Sequence, residues 1–212
     1  MNKETREWID RLTDHPADVA MKEYAESVRL EDWRILRTWS GSERKALWDF
    51  LVFRCITDTA FSNCLEVGTN CGASAWFLSH FVHRGGAVRG VEINAEECEQ
   101  HRMRLMTQEL IYSRHRVFCG VHYGTSADPL IVCDVREFGP YDFIMIDGDH
   151  SYEGVKADWD NYFPMLRDGG IICLHDTNNS AFGVKRLWNE RKGDLRWLTT
   201  GGAENNLGWG IK

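Results

Sequence analysis

Two short stretches place acids and imidazoles where strands should end. The first is Asp142-Phe143-Ile144-Met145-Ile146-Asp147-Gly148-Asp149-His150-Ser151-Tyr152, an apolar run that closes on two carboxylates and a histidine. The second, Ile171-Ile172-Cys173-Leu174-His175-Asp176-Thr177, closes on a histidine and an acid. Open α/β sheets bind ligands at the carboxyl ends of their strands, so neighbouring strands would carry Asp147, His175 and Asp176 into one crevice. Convergent oxygen donors of this kind suit a divalent metal such as Mg2+, with water or substrate completing an octahedron. The pKa of His150 lies near neutrality, which suits a general base. Asp149 follows a glycine and equally suits bracing a turn.

A third stretch, Leu65-Glu66-Val67-Gly68-Thr69-Asn70-Cys71-Gly72-Ala73-Ser74, reads as a strand end, a glycine turn and a helix start. Glycines there let a backbone approach a ligand closely, and the helix beyond offers unpaired N–H groups. A dinucleotide fingerprint would need Gly-x-Gly-x-x-Gly, but Asn70 and Ala73 occupy its second and third glycine positions. Glu66 would repel a pyrophosphate, yet it suits the cationic methionyl end of S-adenosylmethionine. Glu92, at the end of Gly90-Val91-Glu92-Ile93, can accept hydrogen bonds from both ribose hydroxyls. It follows Gly68 by about one βαβ unit, near the ~20 residues expected. The expected cofactor contacts are therefore Glu66, Gly68, Thr69, Asn70, Gly72 and Ser74 at the turn, and Glu92 and Ile93 after the second strand. Thr125 and Ser126 in Tyr123-Gly124-Thr125-Ser126-Ala127-Asp128, together with Asp147, complete the set.

The elements that must position these groups alternate from residue 63 onward. Strand candidates are Cys64–Val67, Ala87–Glu92, Arg116–Val121, Tyr141–Ile146 and Ile171–Leu174, short and apolar as strands buried on both faces should be. Helix candidates between and after them are Ala73–Val82, Ala95–Ile111, Leu130–Glu137, Tyr152–Leu166 and Val184–Arg191. Such alternation implies a parallel sheet with right-handed crossovers. Arg196–Thr200 and Leu207–Lys212 read as a closing pair of strands around a Gly-Gly turn. Residues 1–60 read as helical, and Ser40-Gly41-Ser42-Glu43 forms a capping box opening a helix to about Ile56. Residues 1–40 are expected as an N-terminal extension, and 41–212 as the cofactor-binding domain.

The segment from Asp142 to Thr177, with IDGDHSYEGVKADW, LRDGG and HDT, resembles the class I S-adenosylmethionine-dependent methyltransferases. The likeness is to metal-dependent sugar and macrolide O-methyltransferases and cephalosporin-hydroxylase-like proteins, and it extends from about residue 62 to the C-terminus. It implies a Rossmann-like α/β fold with a mostly parallel seven-stranded sheet, helices on both faces and an antiparallel C-terminal hairpin. It also implies S-adenosyl-L-methionine as cofactor and O-methylation of a small-molecule hydroxyl on a sugar, polyketide or phenol. In metal-dependent relatives the first Asp of the DGxH segment and an acidic pair after the next strand hold the ion, which implies Asp147 and Asp176 as ligands. His175 stands where relatives often carry an acid. Imidazole favours softer ions than Mg2+, so either the ion differs or His175 lies outside its ligand set. Similar enzymes use the Asp149 or the His150 position as base, and histidine is the better physical candidate. Trp33, Trp39 and Trp48 are expected over the site as a lid or at an oligomer contact. Lys156 and Asp158 are expected on a solvated helix face, and Trp159 and Trp188 in the core.

Composition narrows the alternatives. Net charge is −7, and no dense Lys/Arg run offers a phosphate-tracking surface, which disfavours a polynucleotide substrate. The Pro-Pro-aromatic loop and the Pro-Cys nucleophile of DNA-base methyltransferases are also missing. Seven cysteines without CxxC spacing fit free thiols in a reducing cytoplasm. Cys55, Cys64 and Cys173 read as buried hydrophobes, and Cys71 as a space-filler in the turn. No apolar run approaches membrane-spanning length. A non-catalytic cofactor-binding or interaction protein would keep the fold without the chemistry, and the DGDH and HDT segments speak against it. A nicotinamide dehydrogenase is disfavoured by Glu66 and Asn70.

Overall fold

The computed structural model describes residues 2–36, 40–57, 60–94, 99–200 and 206–212. Three helices come first: α1 (Lys3–Asp10), α2 (Pro16–Ser27) and α3 (Gly41–Thr57). Alternating units follow: β1 (Phe61–Val67), α4 (Ala73–Ser79), β2 (Val82–Glu92), α5 (Glu99–His115), β3 (Phe118–Tyr123) and α6 (Pro129–Arg136). The chain continues through β4 (Tyr141–Ile146), α7 (Tyr152–Tyr162), β5 (Leu166–Leu174) and α8 (Val184–Arg191), and ends with β6 (Arg196–Thr200) and β7 (Gly208–Ile211). The sheet order is β3-β2-β1-β4-β5-β7-β6, parallel from β3 to β5 and antiparallel through β7 and β6. Strand order reverses between β1 and β4, so a crevice opens there at the carboxyl ends.

Several boundaries differ from the sequence expectation for local reasons. β1 begins at Phe61 because the Asp142 carboxylate accepts from the amides of Ser62 (2.7 Å) and Asn63 (2.8 Å), pinning polar residues into the strand. The helix expected over Ala73–Val82 is shorter: α4 stops at Ser79, and Val82 already pairs with Phe61 in the sheet. α5 runs on to His115 because the turn comes at Arg116, whose φ of 58° takes it out of both helix and strand. The expected start of that helix at Ala95 and the Gly-Gly turn at 201–202 lie outside the described residues.

Helices cover both faces of the sheet. One buried cluster joins α6, α7 and α8 to the strands through Tyr141, Val155, Trp159, Tyr162 and Trp188. The other joins the N-terminal helices to α4 and α5 through Trp8, Met21, Tyr24, Leu47 and Trp76. Each such side chain contributes on the order of 1.5–3 kcal/mol when fully buried. Residues 1–40 take part in this core: Trp76 Nε1 donates to the Ala20 carbonyl at 2.7 Å, and Tyr24 Oη donates to the Cys71 carbonyl at 2.9 Å. Trp33 stacks on Trp8 and Trp48 packs on Phe77 and Phe81, so neither tryptophan reaches the crevice. Trp39 lies outside the described residues. The capping box forms in both directions, with the Ser40 amide donating to Glu43 Oε2 (2.5 Å) and the Glu43 amide to Ser40 Oγ (3.3 Å). No helix among the described residues is long and apolar enough to cross a membrane.

Candidate active site

Sheet register puts the chemistry on one rim. Val67 pairs with Val91 and with Ile146, and Ile146 pairs with Leu174, so Gly68, Glu92, Asp147 and His175 leave neighbouring strands at one level. A cavity of about 850 Å³ lies above them. Of the expected cofactor contacts, Gly68, Asn70, Glu92, Ile93, Thr125, Ser126 and Asp147 line it. Glu66, Thr69, Gly72 and Ser74 do not, and Glu66 and Thr69 are buried.

The two glycines of the turn serve chain packing before they serve a ligand. Gly68 has φ of 91°, and a Cβ there would lie 2.2 Å from the Asp147 carbonyl oxygen. Gly72 has the same φ, and its Cβ would press on Thr107. Both conformations suit a residue without a side chain. Gly68 thereby brings the tip of β1 against the tip of β4, joining the two halves of the rim.

At the β1–β2 end neither Glu66 nor Glu92 has an ion-pair partner among the described residues. Glu66 is buried, and neither of its oxygens completes a hydrogen bond of ordinary geometry among the described residues. Burial pushes its carboxyl up to about 8; the nearby Ser74 hydroxyl opposes the rise, and the charges of Asp147 and Glu92 add to it. Glu92 spans the rim, accepting from the Asn70 amide at 2.6 Å and the Asn94 amide at 3.0 Å. Ile93 beside it is 74% exposed, an apolar surface held open at the cavity. Cys71 is buried, and its thiol is pushed up to about 11 by that burial, which makes it an inert space-filler.

At the β4–β5 end acids and imidazoles alternate. His175 Nδ1 lies 3.2 Å from Asp147 Oδ1 and 3.3 Å from Asp176 Oδ2. His150 faces the same two acids, with Nε2 3.3 Å from Asp147 and Nδ1 3.3 Å from Asp176. Burial would raise the Asp147 carboxyl, but its contacts with His150 and His175 outweigh that and hold it below the ordinary value. His150 is raised in turn, chiefly by Asp147. Burial lowers His175, yet Asp147, Asp176 and Glu43 together lift it to about 9. Asp176 sits at φ 58°, a conformation unfavourable for a residue with a side chain and maintained here by the surrounding turn.

One ligand atom from each of Asp147, His150, His175 and Asp176 lies within 4.8 Å of the others. Two carboxylates and two imidazoles at that spacing fit a divalent cation, which would displace the acid–base pairs now filling the centre. The structure therefore gathers the expected ligands Asp147, His175 and Asp176 and adds His150, the expected base. Asp149 is exposed at the cavity edge, where its Oδ1 accepts from the Ser151 amide at 2.8 Å and braces the start of α7.

Other residues at the site escape a linear reading. Arg104 of α5 is buried, donating to the Asn94 carbonyl at 2.6 Å and to the Asn70 carbonyl, so it ties the glycine turn after β1 to the loop after β2. Phe182 lines the cavity, its ring set edge-on to His150 at 4.7 Å between centroids. Asp158, expected in solvent, is 1% exposed and packs beside Gly148 under the Ser126 loop. Lys156 does lie at the surface, paired with Asp160. Trp159 and Trp188 are core residues.

A family described as a methyltransferase domain matches residues 65–177, more than half of the chain. The chain belongs to that methyltransferase family. Demethylmacrocin O-methyltransferase of Streptomyces fradiae is 26% identical over 107 residues, covering 50% of this chain and 23% of that protein. An uncharacterized protein, y4gI, of Sinorhizobium fredii is 39% identical over 59 residues, covering 27% of this chain and 6% of that protein. The chain thus spans less than a quarter of the length of these curated relatives. The methyltransferase domain also superposes on solved structures. An O-methyltransferase from Bacillus cereus in complex with S-adenosylhomocysteine (SAH) gives a TM-score of 0.64 at 18% identity, over 99% of this chain and 97% of that one. TomG from Streptomyces achromogenes, in complex with S-adenosylmethionine, gives 0.61 at 16% identity over 100% of both chains. MycE in complex with Mg and SAH gives 0.58 at 16% identity, over 91% of this chain and 54% of that one. These likenesses establish the fold as that of a Rossmann-like methyltransferase.

Proposed function

We propose that this domain transfers the methyl group of S-adenosylmethionine to a hydroxyl oxygen of a small molecule, with a divalent cation at the β4–β5 rim. The observation that carries the reading is one cavity reaching from Glu92 to the Asp147–His150–His175–Asp176 centre. The cofactor would supply a sulfonium methyl open to in-line displacement. Glu92 would accept from its ribose hydroxyls, Ile93 would flank its base, and Thr125 and Ser126 would meet the polar edge of that base. Glu66, an uncompensated acid beneath the turn, balances a positive amino-acid tail. Asn70 and Arg104 keep the turn in place for it.

At the other end Asp147, His175 and Asp176 would hold the cation, which when bound favours ionisation of a hydroxyl and neutralises its charge. His150 is the most exposed member of the centre, at 31%, and lies next to Phe182 at the mouth. It takes the acceptor proton as a neutral imidazole, and Asp149 remains the structural brace of its loop. Holding acceptor and methyl group in line supplies much of the acceleration. Phe182 offers an apolar flank to the acceptor, whose class we take as a hydroxyl of a sugar, polyketide or phenol; the likeness to demethylmacrocin O-methyltransferase supports a small-molecule acceptor. The six cysteines described are all free, in keeping with a reducing cytoplasm. Exposed Phe53 and Ile56 on α3 are where self-association through the N-terminal helices would occur, which sedimentation would test.

The test is calorimetry with SAH and with NAD, followed by methyl transfer from labelled cofactor to a panel of glycosylated macrolides, free sugars and phenols. Binding of SAH alone, with transfer abolished in His150→Ala, is the expected outcome. Binding of NAD in its place, or undiminished transfer by His150→Ala, would reject the reading.

A further inference from the structure

The imidazole of His175 stands in a particular relation to the rest of the fold. Its Nδ1 faces Asp147 and Asp176, while Nε2 points away from the centre toward Glu43 Oε1, 4.0 Å distant. Glu43 belongs to the first turn of α3, is 3% exposed, and is held on both oxygens. Its Oε2 accepts from the Ser40 amide, and its Oε1 from the Asn206 amide at 2.7 Å. The Asn206 carbonyl in turn accepts from the Thr177 amide at 2.8 Å and hydroxyl at 3.0 Å, so the same network fixes the loop that carries His175 and Asp176. At 4.0 Å the pair is longer than a hydrogen bond, so Glu43 acts on the outer nitrogen as a nearby buried carboxylate, on the side where acids that orient metal-binding histidines stand.

We propose that His175 is an Nδ1 metal ligand backed by Glu43, and that it makes this centre selective for a first-row transition ion over Mg2+. The proposal rests on the metal-assisted reading above and concerns which ion that centre takes. Asp147 and Asp176 alone would offer hard oxygens suited to Mg2+. A neutral nitrogen donor shifts the preference toward ions of the Co2+ to Zn2+ range. Glu43 keeps the proton on Nε2 and leaves the Nδ1 lone pair free for the ion. The residue that caps a helix thus also positions a ligand, acting through His175 and without touching acceptor or cofactor.

The experiment uses the full chain stripped of metal by chelation. Co2+ and Mg2+ are titrated separately by calorimetry, and the Co2+ form is followed by its visible spectrum and by paramagnetically shifted, exchangeable imidazole N–H signals. Wild type should bind Co2+ at least ~100-fold more tightly than Mg2+, and His175→Glu should lower that preference at least ~10-fold. A shifted N–H signal from His175 should vanish in the same variant. Glu43→Gln should weaken Co2+ binding ~10–100-fold and hasten exchange of that proton. Ser40→Ala, which weakens the helix cap but keeps the carboxylate, should leave both unchanged. Mg2+ binding as tight as Co2+ binding, or an unaltered preference in His175→Glu, overturns the proposal and leaves the metal-assisted reading standing. If neither ion binds while SAH does, the metal reading falls with it and the cofactor reading survives. Equal effects of Glu43→Gln and Ser40→Ala would reduce Glu43 to a helix cap and overturn its positioning role.

Discussion

The two ends of the site place an acid near the carboxyl end of neighbouring strands, Glu66 on β1 and Asp147 just past β4, and the two acids behave in opposite ways. Glu66 at the end of β1 is buried without a base, and its carboxyl rises to about 8. Asp147 at the end of β4 is enclosed too, yet two histidines hold it below its ordinary value. Burial raises both acids; only the second has a partner that outweighs it. Position at a strand end therefore places an acid at the site without deciding its chemistry. The first end is prepared for a ligand that brings positive charge, and the second pairs its own charges until a cation takes their place.

The largest test removes the link between the ends. Gly68→Ala puts a methyl group 2.2 Å from the Asp147 backbone oxygen, at a φ of 91°. Backbone cannot yield there as a side-chain tip could, so a cost of roughly 3–5 kcal/mol is expected. In a chain of this size that lowers the melting temperature by about 10 °C, and SAH and metal binding should weaken together. Calorimetry showing either ligand bound at wild-type strength would mean that the two ends are built independently.

Asp176→Asn sharpens the comparison from the second end. Asparagine tolerates the left-handed conformation at φ 58°, so the turn survives while the charge is lost. Turnover should fall ~10²–10³-fold, as when one group stabilising developing charge is removed. SAH affinity should stay within about threefold, since Asp176 faces the histidines and lies away from Glu66 and Glu92. Parallel losses in turnover and SAH affinity would erase the distinction between the ends.

What was legible in the sequence follows from where each residue sits. Glu66, Glu92, Asp147, His175 and Asp176 stand at the ends of apolar runs, and strand periodicity alone carries such residues to the rim. Gly68 was found at its place, but its tightest neighbour is the Asp147 carbonyl, a contact between segments far apart in sequence. Arg104, Asp158 and Glu43 sit on helices, where a charged residue reads as solvated until the packing of that helix is known. Glu43 was visible only as half of a capping box, because its second partner, His175, comes from the far end of β5. Arg116 likewise looked like strand and instead ends α5 at a positive φ.

Asp158 offers a third, smaller test of what burial does to an acid. Burial lifts its carboxyl from 3.8 to about 6, with the Ser126 hydroxyl opposing. A carboxyl raised in the folded state favours the protonated form, so its contribution is retained below pH 3.8 and lost as pH rises through 6. The loss reaches at most roughly 3 kcal/mol. Asp158→Asn should therefore melt at the wild-type temperature near pH 4 and several degrees higher above pH 7. A constant difference across that range would show that the ionised acid is compensated.

Glu66→Gln gives the smallest effect and separates the two ends most cleanly. At pH 6 the carboxyl, raised to about 8, is mostly protonated, and a ligand carrying a fixed ammonium favours its ionised form. Binding should then release part of a proton, and SAH affinity should climb between pH 6 and 7.5 by up to about tenfold per unit. The gain should level off near pH 8, where Glu66 is itself ionised in the free protein. Glutamine keeps the shape and removes the titration, so at pH 7.5 affinity should drop about 3–10-fold, as for loss of one partly screened charge contact. Over the same range the slope with pH should flatten. Running the titrations in two buffers of different ionisation enthalpy counts the proton directly. An unchanged slope in Glu66→Gln would assign that proton to the histidine end and leave Glu66 a buried acid with no part in binding.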